Sequence, residues 1–199
     1  MRVRYGGYGS INLTPIWVLM AVNLIFFVAA FIREEMVFTT FGFTPSQFLD
    51  EPWTILTSMF VHDGIWHILV NMLMLYFFGS YTLGILGEVK FLIIYLVGGL
   101  VGNLLFFLLG NEYVIVVGAS GAIYAIMGTL AVMRPRLKVL VWFLVPVDLW
   151  IMVVIMGALI ISTQMGSSYI AWQAHLGGMI LGLVAGFYFR KQERGRFWG

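Results

Sequence analysis

Cysteine is absent from this 199-residue chain, and charged side chains make up only 10% of it. Without a thiol there is no disulfide frame, no thiol nucleophile and no cysteine-ligated metal. The scarcity of charge excludes more. A soluble domain carries roughly 25% charged residues, whereas 61% of this chain is hydrophobic. That balance belongs to a polypeptide solvated by lipid. Internal repeats and low-complexity tracts are also missing, so no solenoid is encoded.

What is present is a series of long apolar runs. A helical crossing needs about 20 such residues, fewer where neighbouring helices bury the ends. Six stretches qualify: 14–32, 66–84, 89–109, 120–133, 147–163 and 171–189. The expected architecture is an all-α membrane protein, one domain over 1–199. It is a six-transmembrane-helix bundle with a long outer loop between helices 1 and 2. The first run passes straight into Arg33 without a small-residue cleavage site, so it is read as a retained span and not a signal peptide. Within the loop, Thr44-Pro45-Ser46-Gln47 predicts a capping box opening a short surface helix. The run VLVWFLVP (139–146) predicts an interfacial connector, with an early start to the fifth span as its alternative. Residues 190–199 read as a charged tail.

The basic residues sort by side. Arg2, Arg4, Lys90, Arg134, Arg136, Lys138, Arg190, Lys191, Arg194 and Arg196 fall at one end of the spans, and Arg33 alone at the other. This asymmetry gives an N-in/C-in orientation. It also explains the small positive net charge as topological, which leaves no nucleic-acid partner to invoke.

Three polar side chains then fall at one depth. Ser120 precedes Arg134 by 14 residues, a climb of about 21 Å at the helical rise. His175 precedes Arg190 by 15 residues, or about 22 Å. His67 enters the second span from the outer side and reaches a similar level. Their faces agree as well. Gly178, Gly182 and Gly186 form a ridge below His175, and Gly121, Ala125 and Gly128 form a matching stripe beside Ser120. Small residues at such spacing let two helix backbones approach closely. His67 and Asn71, at i and i+4, share a face.

Each feature alone has a bland explanation. A serine in a membrane helix usually packs or bonds back to its own helix, and Asn71 or the glycine ridge serves interhelical packing equally well. An intramembrane histidine is the more pointed signal, since ionisable groups there serve function. Together at one depth they favour a site. Ser120 is a weak nucleophile until a base takes its proton, and His175 is the natural base, able to return that proton to a leaving amine. Ser120 opens its helix, so nearby backbone N–H groups lack intrahelical acceptors. With His67 and Asn71 they make a set of oxyanion donors. No acid stands behind His175: Asp148 lies a membrane away and Asp63 sits on the outer loop. A Ser120–His175 dyad is therefore expected, with Tyr124 one turn below Ser120 against the imidazole.

Three segments, WTILTSMFVHDGIWHILVNM (53–72), GASGAIYAIMG (118–128) and AHLGGMILG (174–182), resemble the signatures of rhomboid intramembrane serine proteases. The resemblance implies Ser120 as nucleophile, His175 as base and Tyr124 as the ring stacked on it. It implies His67, Asn71 and the Ser120 N–H as oxyanion donors, Gly118 and Gly121 as shapers of the serine turn, and Gly178 as the point of approach between the sixth and fourth spans. It further implies cleavage of transmembrane protein substrates near the outer membrane face, without metal or other cofactor, with the lipid bilayer as a second partner. The fifth span and loop 164–170 are the expected substrate gate. One departure stands out. Many relatives have Trp-Arg where this chain has Trp53-Thr54, and a glutamate where it has Leu83, so the loop must be held in another way.

Rival readings are a transporter relaying protons through His67, His175 and Glu112, a metalloprotease with three histidine ligands, and a catalytically silent relative. The lower half of the spans holds no charge pairs beyond Asp148, no HExxH is present, and both Ser120 and His175 are retained. The short six-span form points to a prokaryotic plasma membrane.

Overall fold

The computed structural model describes residues 2–3, 11–141, 144–162 and 171–197. Two-residue strands β1 (Arg2–Val3) and β2 (Ile11–Asn12) pair antiparallel and lead into α1 (Thr14–Ile32). The Asn12 Oδ1 accepts both the Thr14 N–H, at 3.1 Å, and the Thr14 hydroxyl, at 2.6 Å. Pro15 sits in the first turn, where its missing N–H costs nothing.

The insertion that follows carries α2 (Glu34–Phe41), a single 3-10 turn at Pro45–Gln47, and α3 (Thr54–Thr57), which runs into a second 3-10 turn at Ser58–Phe60. The capping box is not formed: Thr44 makes no side-chain cap bond. A β-bridge between Phe43 and Val116 holds the segment instead, at 3.0 and 2.8 Å, with Ser46 N–H donating to the Glu112 carbonyl at 2.9 Å. One turn bound through its backbone to another loop needs no cap.

Helices α4 (Ile65–Met74) and α5 (Ser80–Leu86) are joined by a π turn, Leu75–Gly79, into one apolar span. Next come α6 (Glu88–Leu109) and α7 (Ser120–Met133). Among the described residues, three helices are long and apolar enough to cross a membrane: Thr14–Ile32, Ile65–Leu86 and Glu88–Leu109. The expected connector is in fact a β-hairpin. Strand β3 (Lys138–Val141) pairs with β4 (Val145–Asp148), and Lys138 Nζ meets Asp148 Oδ1 at 2.7 Å. A short run of branched apolar residues cannot be told from a buried helical segment by period alone; here its two halves pair with each other. Helix α8 (Leu149–Ser162) then starts, and α9 (Trp172–Phe197) continues through the charged stretch as helix rather than as a separate tail.

The centre of the bundle is α7, wedged between α6 and α9. Every residue from Gly121 to Met133 except Tyr124 is buried. Glycines set the spacing. A Cβ on Gly178 would overlap the Gly121 carbonyl, and one on Gly182 would overlap the Ala125 carbonyl. On the other flank of α9, a Cβ on Gly177 would stand 2.7 Å from the Val101 carbonyl of α6. Thr129 bridges the α7–α9 seam, its hydroxyl lying 2.9 Å from the Ala125 carbonyl and 3.0 Å from that of Gly182. At the basic end, Arg134 clasps Glu193 with two bonds of 2.9 and 3.0 Å, and Arg190 donates to the Val132 carbonyl at 3.1 Å. The Arg190 bond satisfies one of the carbonyls that the end of α7 leaves open.

Overpacking a seam of this kind costs about 1–3 kcal/mol. Gly178→Ala and Gly182→Ala should each lower the unfolding free energy in detergent by that order. Gly157→Ala on α8, with nothing within 4 Å of its Cβ position, should not lower it, because alanine is the better helix former. A tolerant Gly182 would show that the seam is looser than its geometry.

Candidate active site

Ser120 is the first residue of α7, after a turn in which Gly118 adopts φ +117°. Only glycine takes that conformation cheaply. It is needed twice over, because a Cβ on Gly118 would lie 2.6 Å from His67 Nε2. The first intrahelical bond of α7 runs from Ile123 N–H to the Ala119 carbonyl at 3.0 Å. The N–H groups of Ser120 and Gly121 therefore precede the helical ladder.

Across the seam stands His175, one turn before Gly178. The Ser120 Oγ and His175 Nε2 are 2.7 Å apart. The Tyr124 ring stacks on the imidazole, with centroids 4.6 Å apart and planes 12° from parallel. Ser120 is thus hydrogen-bonded to a ring that packing fixes from one face. Among the described hydrogen bonds, Ser120 is the sole side-chain partner of His175, and no carboxylate joins it.

His67 and Asn71 project from α4 towards the same place. The Asp63 backbone N–H donates to His67 Nδ1 at 3.3 Å. A neutral imidazole accepting on Nδ1 carries its proton on Nε2, the atom lying against Gly118. Asn71 donates one amide hydrogen to the His67 carbonyl at 2.8 Å, which leaves a second. All four side chains, with Tyr124, Gly118 and Gly121, line one cavity of about 680 Å³. Methionines 74, 127 and 156 contribute to its apolar lining. Gly178 lies outside that lining, in the helix seam. Among the described residues, no three His, Asp or Glu side chains cluster as a metal site. Loop 164–170, half of the expected gate, lies outside the described residues. Asp148 belongs to the hairpin, paired with Lys138.

Residue-level reasoning passes over three participants. His62 is 1% exposed, with its ring edge-on to His67 at 5.0 Å, its Nδ1 3.3 Å from the Phe60 carbonyl, and its Nε2 unpartnered among the described residues. Ser58 and Asn103 are buried beside the serine turn. A histidine on a loop gives no periodic signal, whereas Asn103 is a polar residue within an apolar span and is detectable on that ground. The absent Arg–Glu pair leaves no orphan charge: Thr54 donates to the Glu51 carbonyl at 2.6 Å, and Leu83 is buried in the apolar core.

The rhomboid domain matches residues 49–192. The chain belongs to the rhomboid family. It is 33% identical over 163 residues to RHOMBOID-like protein 12, mitochondrial, of Arabidopsis thaliana, covering 72% of this chain and 47% of that protein. It is 32% identical over 147 residues to Rhomboid protein 1, mitochondrial, of Saccharomyces cerevisiae, covering 69% and 42%. Rhomboid-like protease 5 of Toxoplasma gondii is 32% identical over 145 residues, covering 69% and 16%. The chain thus spans about half the length, or less, of these rhomboid relatives. The first two overturn the prokaryotic plasma membrane read from the sequence, since both carry mitochondrial names and come from eukaryotes. The physical reason is plain: a short six-span form is set by bilayer thickness and packing and says nothing about which membrane holds it, and the N-in/C-in assignment loses its compartment too.

Burial, and then the neighbouring His67, depress the His62 pKa from 6.5 to about 4. An unfolded chain takes up this proton below about 6.5, and the folded chain only below about 4, so His62 makes stability rise with pH across that window. The unfolding midpoint should fall as pH drops from 7 towards 4, and His62→Gln should flatten this dependence whatever it does to the midpoint at pH 7. An unaltered slope in the variant would place the titrating group elsewhere.

Proposed function

We propose that this rhomboid is an intramembrane serine endopeptidase that cleaves transmembrane protein substrates near the outer membrane face, the face carrying the 33–64 insertion. Six spans are proposed for it, formed by α1, the α4–α5 pair, α6, α7, α8 and α9. The relatives named mitochondrial favour a eukaryotic mitochondrial membrane as its place of action. The observation that carries the reading is the 2.7 Å contact between Ser120 Oγ and His175 Nε2 under the Tyr124 ring.

In the reaction, Ser120 Oγ attacks the scissile carbonyl as its proton passes to His175 Nε2. The oxygen of the tetrahedral adduct takes hydrogen bonds from the Ser120 N–H, His67 Nε2–H and the free Asn71 N–H. His175 then hands its proton to the departing amine, which leaves an ester on Ser120. Water, deprotonated by the same imidazole, releases the acid product and restores the hydroxyl. No carboxylate is required, because Tyr124 and the helix seam orient the ring. Substrate entry is proposed through α8 and loop 164–170, consistent with Met156 of α8 on the cavity wall.

A fluorophosphonate probe should label the wild-type protein, Ser120→Ala should abolish labelling, and His175→Ala should nearly do so. Equal labelling of all three would end the assignment. Loss of one oxyanion donor lowers kcat by about 10²–10³-fold in comparable sites. His67→Ala and Asn71→Ala should each reduce kcat towards that range, with KM little changed. A KM effect alone would assign these residues to substrate binding instead.

A further inference from the structure

The insertion must present a fixed surface to the serine turn. Its attachment lies on α6. Asn103 is 6% exposed, and its Nδ2 donates to the Ile55 carbonyl at 2.7 Å and to Ser58 Oγ at 2.9 Å. Both amide hydrogens are thereby used. One turn earlier on the same face is Gly99, where a Cβ would overlap the side chain of Met59. Gly99 and Asn103, at i and i+4, form a socket that receives Met59 and Ser58 together. Ser58 then reaches the reaction centre through its backbone: its carbonyl accepts the Gly118 N–H at 2.9 Å. Gly118 is the left-handed residue against His67 Nε2, two positions before the nucleophile.

We infer that Asn103 is a positioning residue for the oxyanion turn, acting through Ser58 and Gly118, and that it anchors the insertion on α6. This rests on Ser120 being the nucleophile. The path is short and has no slack. Asn103 fixes two polar groups of the α3 turn; the turn fixes the Ser58 carbonyl; that carbonyl fixes the peptide plane entering Gly118. The same turn aims the N–H groups of Ala119 and Ser120. The role needs a donor on both arms. Leucine has the volume but no N–H, and it would leave the buried Ser58 Oγ and the part-buried Ile55 carbonyl without this donor at the cavity wall, which is costly. Ser58→Ala is milder, since it keeps the carbonyl that Gly118 uses.

The test compares Asn103→Leu, Ser58→Ala, Asn103→Gln and Ser120→Ala with wild type, using a cleavable transmembrane peptide, a peptide aldehyde and the matching peptide alcohol. The aldehyde adduct places an oxyanion on the turn and the alcohol cannot. Asn103→Leu should lower kcat about 10–100-fold, a fraction of what loss of a direct donor causes, with KM within about threefold. Aldehyde inhibition should weaken in parallel, while alcohol inhibition stays level. Ser58→Ala should shift both readouts in the same direction by less, and Asn103→Gln should recover part of the loss. If Asn103→Leu fails to fold, Ser58→Ala and Asn103→Gln carry the same comparison. Unchanged kcat and aldehyde inhibition in folded variants would overturn the inference, as would equal weakening of aldehyde and alcohol. An inactive, unlabelled wild type would instead remove the protease reading itself.

Discussion

The arrangement depends on how closely two backbones approach. Helices α7 and α9 touch where Gly178 lies on the Gly121 carbonyl and Gly182 on that of Ala125. In a bilayer, apolar side chains gain little by leaving the lipid for one another, so contact of this kind is held by van der Waals packing and a few hydrogen bonds. Any Cβ in the seam would push α9 outward. The Ser120–His175 bond sits at the end of this seam and inherits its spacing. Thr129 and the Arg134–Glu193 clasp hold the same helices further down. Stability and chemistry therefore share one geometric requirement.

From that requirement follows which parts are legible in the residues. The helical rise is uniform, so counting back from Arg134 and Arg190 levels Ser120 with His175. The glycines at i+3, i+7 and i+11 from His175 name the face on which it meets α7. Proline at the start of α1 and glycine before α6 mark boundaries by their backbone preferences. The β3–β4 hairpin is not legible, because its apolar run carries neither a helical nor a decisive strand period. Nor is the 3-10 turn at Pro45–Gln47. Its Thr-x-x-Gln spacing matches a capping box, yet the bridge from Phe43 to Val116, far along the chain, decides its conformation.

Site residues divide in the same way. Ser120, His175, His67 and Asn71 announce themselves by being polar in apolar helices at related depths. His62 and Ser58 sit on a loop whose path is set by tertiary contacts, and only coordinates bring them to the serine turn. Asn103 is the instructive intermediate: visible as a polar interruption in α6, but without meaning until the insertion is seated on it. Thr54 and Leu83 carry no charge with which to pair, and the bonds that Asn103 makes to the insertion come from another helix altogether.

The central claim is spatial, and the absence of cysteine lets it be measured without reference to activity. Ser120→Cys combined with His175→Cys should be bridged by dibromobimane, which fluoresces strongly only when two adjacent thiols are alkylated by the same molecule. The account predicts bimane fluorescence in the double variant, none in either single variant, and its loss when Gly178→Leu forces the seam apart. Full alkylation of both thiols without a bridge would contradict it.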